Sequence, residues 1–242
     1  MRIGYFVDPV ASLRDINMSS EPEPAIAASA AINAGAEVIL AGWTRTGGHI
    51  TDRDLKLISE LSHSDLMLVA SLGSEFVESV AKYRPHGVVM IGSGWDGKRD
   101  PAVVQLDIDS QQLTEAAVAY KAAGVQPLAF ADPIPAQMKA AAKAGLRGVV
   151  LNAEEYANAK TDEDAEQALD HIADCAMAAN KFGLLTAVYH GLNYQNIGPI
   201  ASIRYVEEIY AGRSVTARAL LSGLPQAIRD LIAILDRNRP SA

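Results

Sequence analysis

Cysteine is nearly absent from this chain. The single thiol, Cys175, excludes an intrachain disulfide and any cluster of thiolate metal ligands, a pattern that fits a reducing compartment. It sits in "DHIADCAMAANKFG" at helical spacing, where it reads as a small buried apolar residue rather than a nucleophile. Positive charge is also short: 21 Lys and Arg stand against 29 Asp and Glu, a formal net charge of −8. No basic footprint exists for nucleic acid or an anionic membrane, so any anionic ligand must be held by local donors. No stretch approaches the roughly 20 apolar residues of a membrane span, and the apolar run in "MRIGYFVD" is too short for a signal segment. These absences lead to the expectation of a cytoplasmic, unprocessed protein that binds neither nucleic acid nor membrane. The histidines are scattered without metal-ligand spacing, and neither a G-x-S-x-G elbow nor a first-turn G-x-G-x-x-G is present.

What the chain does have is 242 residues, 49% hydrophobic and 21% charged, enough for a full core. One grammar recurs: an alanine-rich amphipathic segment, a glycine, then a short run of branched apolar residues. It is read in "IAASAAINAGAEVILAG", "SVAKYRPHGVVMIG", "AAVAYKAAGVQPLAFAD", "MKAAAKAGLRGVVLN" and "CAMAANKFGLLTAVYHG". Glycine suits the left-handed residue beyond a helix end, and runs of four to six apolar residues suit strands buried on both faces. The opening "IGYFVD", the run "LMLVAS" and the weaker "VEEIY" bring the strand count to eight. Thr51 and Thr161, each with an acid three residues on, are N-cap signals. Eight strands alternating with helices predict an α/β fold, a (β/α)8 TIM barrel, with an open Rossmann-like sheet as the alternative. No linker or composition break divides the chain, so residues 1–242 are expected to form a single domain, closed by the amphipathic helix of "PQAIRDLIAILDRNRP".

A parallel barrel carries its chemistry at the C-terminal strand ends and the loops that follow. The candidates there are Asp8, Trp43 to His49, Ser71, Trp95 to Arg99, Asp132, Asn152 to Glu155, His190, and Gly212 with Arg213. His63, His86 and His171 fall on helices or at strand starts and are expected to be structural. The long irregular segment "GSGWDGKRDPAVVQLDIDSQQ" is expected to cover the active site or to make an oligomer contact. In "YAGRSVTARAL" a strand end, a glycine, an arginine and a helix start follow one another. Such a turn can hold a phosphate on backbone N–H groups, the helix dipole and a forked guanidinium. The same residues also make an ordinary tight turn with a solvated arginine, and both readings stand at this point.

The segments "VDPVASLRD", "HITDRDLKLI", "LAFADPIPAQMKAAAKAG", "YANAKTDEDAEQ", "HGLNYQNI" and "ARALLSGL" together resemble the pyridoxine 5′-phosphate synthase family over the whole chain. The resemblance implies a (β/α)8 barrel, assembled as an octamer in the family, that condenses 1-deoxy-D-xylulose 5-phosphate with 3-amino-2-oxopropyl phosphate. It implies no metal and no organic cofactor, with histidine and glutamate side chains moving protons while phosphates anchor the substrates. His190 matches the family's proton donor and Gly191 and Gly212 its phosphate glycines, and Asp8 and His49 match substrate-contacting positions.

The departures are as informative. Gly42 and Thr44 stand where the family has a general-base histidine and an arginine, with Arg45 one residue along as a substitute grip on the anion. Two family glutamates become Val69 and Val150, a phosphate-binding arginine becomes Asn17, and a glycine-histidine pair becomes Gly212-Arg213. Tyr5, Trp43, Trp95, Tyr189 and Tyr210 suggest a more aromatic mouth. The leading reading is a divergent family enzyme. It would bind a phosphorylated small molecule, use His190 with Asp8 as acid and base, and perform condensation, isomerisation or elimination. A genuine pyridoxine 5′-phosphate synthase and a catalytically silent ligand-binding or scaffold homologue are the alternatives.

Overall fold

The computed structural model describes residues 1–61 and 64–239. Eight parallel strands close into a barrel in sequential order: β1 (Arg2–Phe6), β2 (Val38–Gly42), β3 (Asp65–Ser71), β4 (Gly87–Ile91), β5 (Gln126–Ala131), β6 (Gly148–Asn152), β7 (Leu185–Tyr189) and β8 (Glu208–Ala211). The sheet closes where Arg2 to Tyr5 of β1 run beside Glu208 to Ala211 of β8. The (β/α)8 reading of the sequence is therefore correct, and the open-sheet alternative is not what forms. The eighth strand begins two residues later than "VEEIY" suggested and extends to Ala211.

The outer layer comprises α1 (Asp8–Ile16), α2 (Pro24–Asn33), α3 (Asp52–Ser59), α4 (Val77–Ala81), α5 (Ser110–Ala122), α6 (Met138–Lys143), α7 (Glu154–Ala157), α8 (Asp162–Lys181), α9 (Ile197–Ala201), α10 (Arg213–Ser222) and the added closing helix α11 (Leu224–Asn238). Thr51 and Thr161 start α3 and α8 as predicted, each accepting a backbone N–H from the acid three residues on. Side chains alternate along each strand, so one set fills the barrel and the other meets the helices. Phe6, Val69, Ile91, Phe130, Val150 and Tyr210 belong to the inner set. Tyr5 and Trp43 belong to the outer one, Tyr5 hydrogen bonding Thr216 and Trp43 packing on Phe76, so neither joins the mouth.

Cys175 is fully buried in α8, and burial pushes its thiol up to about 12, which leaves it inert. His86 and His171 are exposed at a strand start and on α8, while His63 lies outside the described residues. Among the described residues no helix is long and apolar enough to cross a membrane.

One buried ion pair sets the wall of the barrel mouth. Arg14 of α1 donates to both oxygens of Asp54 on α3, at 2.8 and 2.9 Å, and to the carbonyl of His49 at 2.8 Å. Asp54 also completes the capping box with Thr51. Removing one member leaves the other charge buried without a partner, which typically costs about 3–5 kcal/mol. Denaturant unfolding of Asp54→Ala should show a loss of that order, whereas a change under about 1 kcal/mol would mean that the pair does not anchor α1 to α3.

Candidate functional site at the barrel mouth

Two neighbouring cavities open at the C-terminal ends of the strands and share Tyr189 and Arg213. The first, of about 200 Å³, is a cup formed by the ends of β7 and β8, with His190, Gly191, Gly212, Arg213 and Ser214 on its wall. Four residues that the sequence singled out, His190, Gly191, Gly212 and Arg213, are thus brought to one place. The turn after β8 leads into α10, whose first turn has no side-chain cap, so its N-terminal backbone N–H groups are available to a ligand anion. Gly191 is needed twice over: its φ is +71°, and a Cβ there would collide with that of Ala157. Gly212 lies close against Phe6.

His190 is buried and takes the left-handed backbone conformation, φ 85°. Such a conformation costs a β-carbon-bearing residue of order 1–3 kcal/mol and persists only where the surroundings impose it. Part of that imposition is visible. Asn152 Oδ1 lies 3.1 Å from the Glu154 backbone N–H, which can only donate, so this atom is the amide oxygen. It follows that His190 Nδ1, also 3.1 Å from that oxygen, carries a proton and donates it. Asn152 in turn donates to Asp132 Oδ1 at 3.1 Å. The strand-end rule nominates Asp132 and Asn152 without giving them a task; the structure makes them the support that turns His190 Nε2 toward the mouth. There Nε2 meets Asp100 Oδ2 at 3.5 Å, and the other oxygen of Asp100 accepts from Arg213 at 2.6 Å.

The second cavity, of about 170 Å³, is lined by Phe6, Asp8, His49, Trp95, Asp100 and Tyr189 among others. Asp8 opens α1 and accepts the Gly42 backbone N–H on both carboxylate oxygens, at 3.2 and 3.0 Å. Burial pushes this carboxyl up to about 7; the hydrogen bonds from the Gly42 and Asp8 backbone oppose the shift, and the charge of Asp54 adds to it. His49 stands on the rim with Nδ1 held by Asp15 at 2.7 Å. Phe6 stacks on Tyr189, which stacks on His190, so an aromatic wall joins the two cavities.

Gly42 explains how this pocket came to have its shape. A Cβ on residue 42 would run into Asp8 Oδ1 and would lie 2.6 Å from Cη2 of Trp95. The indole, delivered by the loop after β4, thus fills the space into which a side chain at position 42 would project. Val69 and Val150 are 4% and 1% exposed in the barrel interior, so the floor is apolar there.

Some sequence-nominated groups are not assembled. Arg45 is exposed, its guanidinium 5.0 Å above the Phe76 ring, and it lines neither cavity. Asp8 and His190 share no hydrogen bond among the described residues; they face different cavities. Asn17 lies by a separate outer groove. Asp100, against both Arg213 and His190, is the neighbour of the cup that the sequence reading missed. Only the path of an irregular loop brings it to Arg213, and no periodic pattern encodes that path.

A family model described as "Pyridoxal phosphate biosynthesis protein PdxJ" matches residues 3–237. A pyridoxine 5′-phosphate synthase of Synechococcus sp. (strain JA-2-3B'a(2-13)) is 32% identical over 96% of this chain and 97% of its own length. The enzyme of the same name from Idiomarina loihiensis is 32% identical over 99% of both chains. Among solved structures, 3-hexulose-6-phosphate synthase from Salmonella typhimurium superposes with a TM-score of 0.64 at 14% identity, over 99% of this chain and 100% of its own; this likeness concerns the fold alone.

Two measurements check the geometry. Because Asp8 titrates higher when folded than its ordinary 3.8, the native state binds the extra proton between these values, and stability should fall as pH rises from about 4 through about 7. Asp8→Asn keeps the acceptor for Gly42 and should remove that part of the slope; an unchanged slope would show that Asp8 ionises normally. Gly42→Ala should cost about 1–3 kcal/mol by overpacking. In a double-mutant cycle Trp95→Ala should recover at least about 0.5 kcal/mol of it, and strict additivity would separate the two residues.

Proposed function

The chain belongs to the family of the pyridoxal phosphate biosynthesis protein PdxJ, and from that membership we propose an enzyme of pyridoxine 5′-phosphate synthase type whose mouth is rebuilt for a different phosphorylated substrate. The observation that carries this reading is the grouping of His190, with its Nε2 turned to the mouth, on one cup with Gly191, Gly212, Arg213 and the uncapped start of α10. Phosphate oxygens accept from the guanidinium and the helix N–H groups, and the dipole of α10 adds to the attraction. The organic part of the substrate extends past Tyr189 into the second cavity, between the aromatic wall and Asp8.

Proton transfer then has two agents. His190, with its Nδ1 proton committed to Asn152, exchanges protons through Nε2. Asp8, pushed up to about 7, is divided between acid and carboxylate near neutrality and serves as the second acid or base, across the pocket rather than in contact with the histidine. The arrangement suits enolisation, isomerisation or elimination next to a carbonyl, with the phosphate as handle. The divergence is supported by position 42. A glycine under an indole cannot abstract a proton, and the valines at 69 and 150 cannot accept one. The second reading, a working pyridoxine 5′-phosphate synthase, draws on the names of its relatives.

Assay of the purified protein with 1-deoxy-D-xylulose 5-phosphate and 3-amino-2-oxopropyl phosphate separates these readings. The missing base should leave formation of pyridoxine 5′-phosphate at least about 100-fold below that of the Idiomarina loihiensis relative. Inorganic phosphate should nonetheless raise the melting temperature, and Arg213→Gln should abolish the rise. Synthesis at the relative's rate would establish the second reading, and no stabilisation by phosphate would remove the anion site.

A further inference from the structure

We propose that Asp100 is an internal stand-in for the ligand's phosphate, and that a phosphate entering the cup releases Asp100 and lifts Trp95 off Gly42, opening the second cavity. The inference rests on the anion site of the preceding section, and four observations extend it.

The carboxylate of Asp100 is the counter-ion of the cup. One oxygen accepts from Arg213 at 2.6 Å and the other faces His190 Nε2 at 3.5 Å. These are the groups that a phosphate would engage, so carboxylate and phosphate compete for one set of donors. Asp100 remains about half exposed, hence poorly sheltered against a ligand carrying more charge and more acceptor oxygens.

The segment carrying it is built to move as a unit. Between β4 and α5 the chain has neither helix nor strand. Its base is closed by the Gly92 N–H donating to the Ala102 carbonyl at 2.7 Å. Within it, the Trp95 indole N–H donates to the Arg99 carbonyl at 2.7 Å, and Asp96 Oδ1 accepts the N–H groups of Lys98 and Arg99 at 2.9 and 3.1 Å. Residues 95 to 99 therefore hold one another, with Trp95 at one end and Asp100 next to the other. Gly94, just before this unit and at φ 81°, supplies backbone freedom at its start.

The two ends rest on the two halves of the site. At one end Asp100 clasps Arg213, and at the other the Trp95 ring occupies the space above Gly42. Releasing the clasp removes a charge-assisted contact that favours the seated ring, so anion binding and pocket opening share one equilibrium. Asp100 thereby also sets specificity. Ligands with a phosphate displace it, and those with a single carboxylate gain nothing over the residue already there.

The test titrates inorganic phosphate into the intact protein, Asp100→Asn and Arg213→Gln, following heat of binding together with Trp95 emission in a Trp43→Phe background. Trp43 and Trp95 are the two tryptophans of the chain. Asp100→Asn should bind phosphate about tenfold tighter or better, because a charged competitor is gone. Phosphate should shift the emission of the parent, and Asp100→Asn should show the shifted emission without phosphate. Equal or weaker binding by Asp100→Asn, with binding lost in Arg213→Gln, overturns the stand-in and leaves the anion site intact. Tighter binding without any change in Trp95 emission overturns the coupling to the second cavity. Phosphate binding by neither the parent nor Asp100→Asn overturns both this inference and the anion site.

Discussion

Asn152 holds the mouth in register through a single amide oxygen that accepts two hydrogen bonds, one from the Glu154 backbone N–H and one from His190 Nδ1. Because the backbone group can only donate, the imidazole tautomer is settled by the fold rather than by solvent, and Nε2 is left facing the cup. The carboxylate of Asp132 secures the other side of the amide. Everything proposed for the site depends on this arrangement: the direction of proton transfer at His190, its closeness to Arg213, and the left-handed backbone that it tolerates there.

Around that fixed point the barrel mouth divides into a polar cup and an aromatic pocket. The cup combines close backbone approach, a guanidinium and an uncapped helix start, the usual means by which a parallel barrel holds phosphate. The pocket is organised by subtraction. With no side chain at Gly42, Asp8 moves in on the backbone N–H, Trp95 settles above it, and desolvation raises the Asp8 carboxyl into the range where it exchanges protons near neutral pH. The absence of a side chain at position 42 thus creates the surroundings of a titratable group. Family membership and an altered reaction are compatible on these terms, since a fold supports many chemistries through changes at its strand ends.

Much of this was legible in the sequence where the physics is periodic or local. Glycine after an alanine-rich segment and before a branched apolar run encodes a helix end and a buried parallel strand, and the closed barrel follows from repetition. Thr51 and Thr161 mark helix starts because capping is decided within four residues. His190, Gly212 and Arg213 could be nominated because strand ends converge on one face, and Gly191 through the resemblance to the family. Arg45 could not be placed, since its direction depends on a contact with Phe76 from another loop. The outward turns of Tyr5 and Trp43 follow from strand alternation, which a count of aromatics ignores. Trp95 could be nominated as a strand-end residue but its seat on Gly42 could not, and Asp100 was beyond reach, for a different reason. Their roles arise from the path of an irregular loop stabilised by its own backbone contacts, and the pairing of Asp100 with Arg213 spans 113 positions.

A crystal structure of the protein grown or soaked in inorganic phosphate tests the central claim most directly. Density for phosphate between Arg213, His190 and the first turn of α10, with Asp100 turned away and the indole of Trp95 withdrawn from Gly42, is the expected result. A cup without phosphate at saturating concentration, with Asp100 still on Arg213, would contradict it.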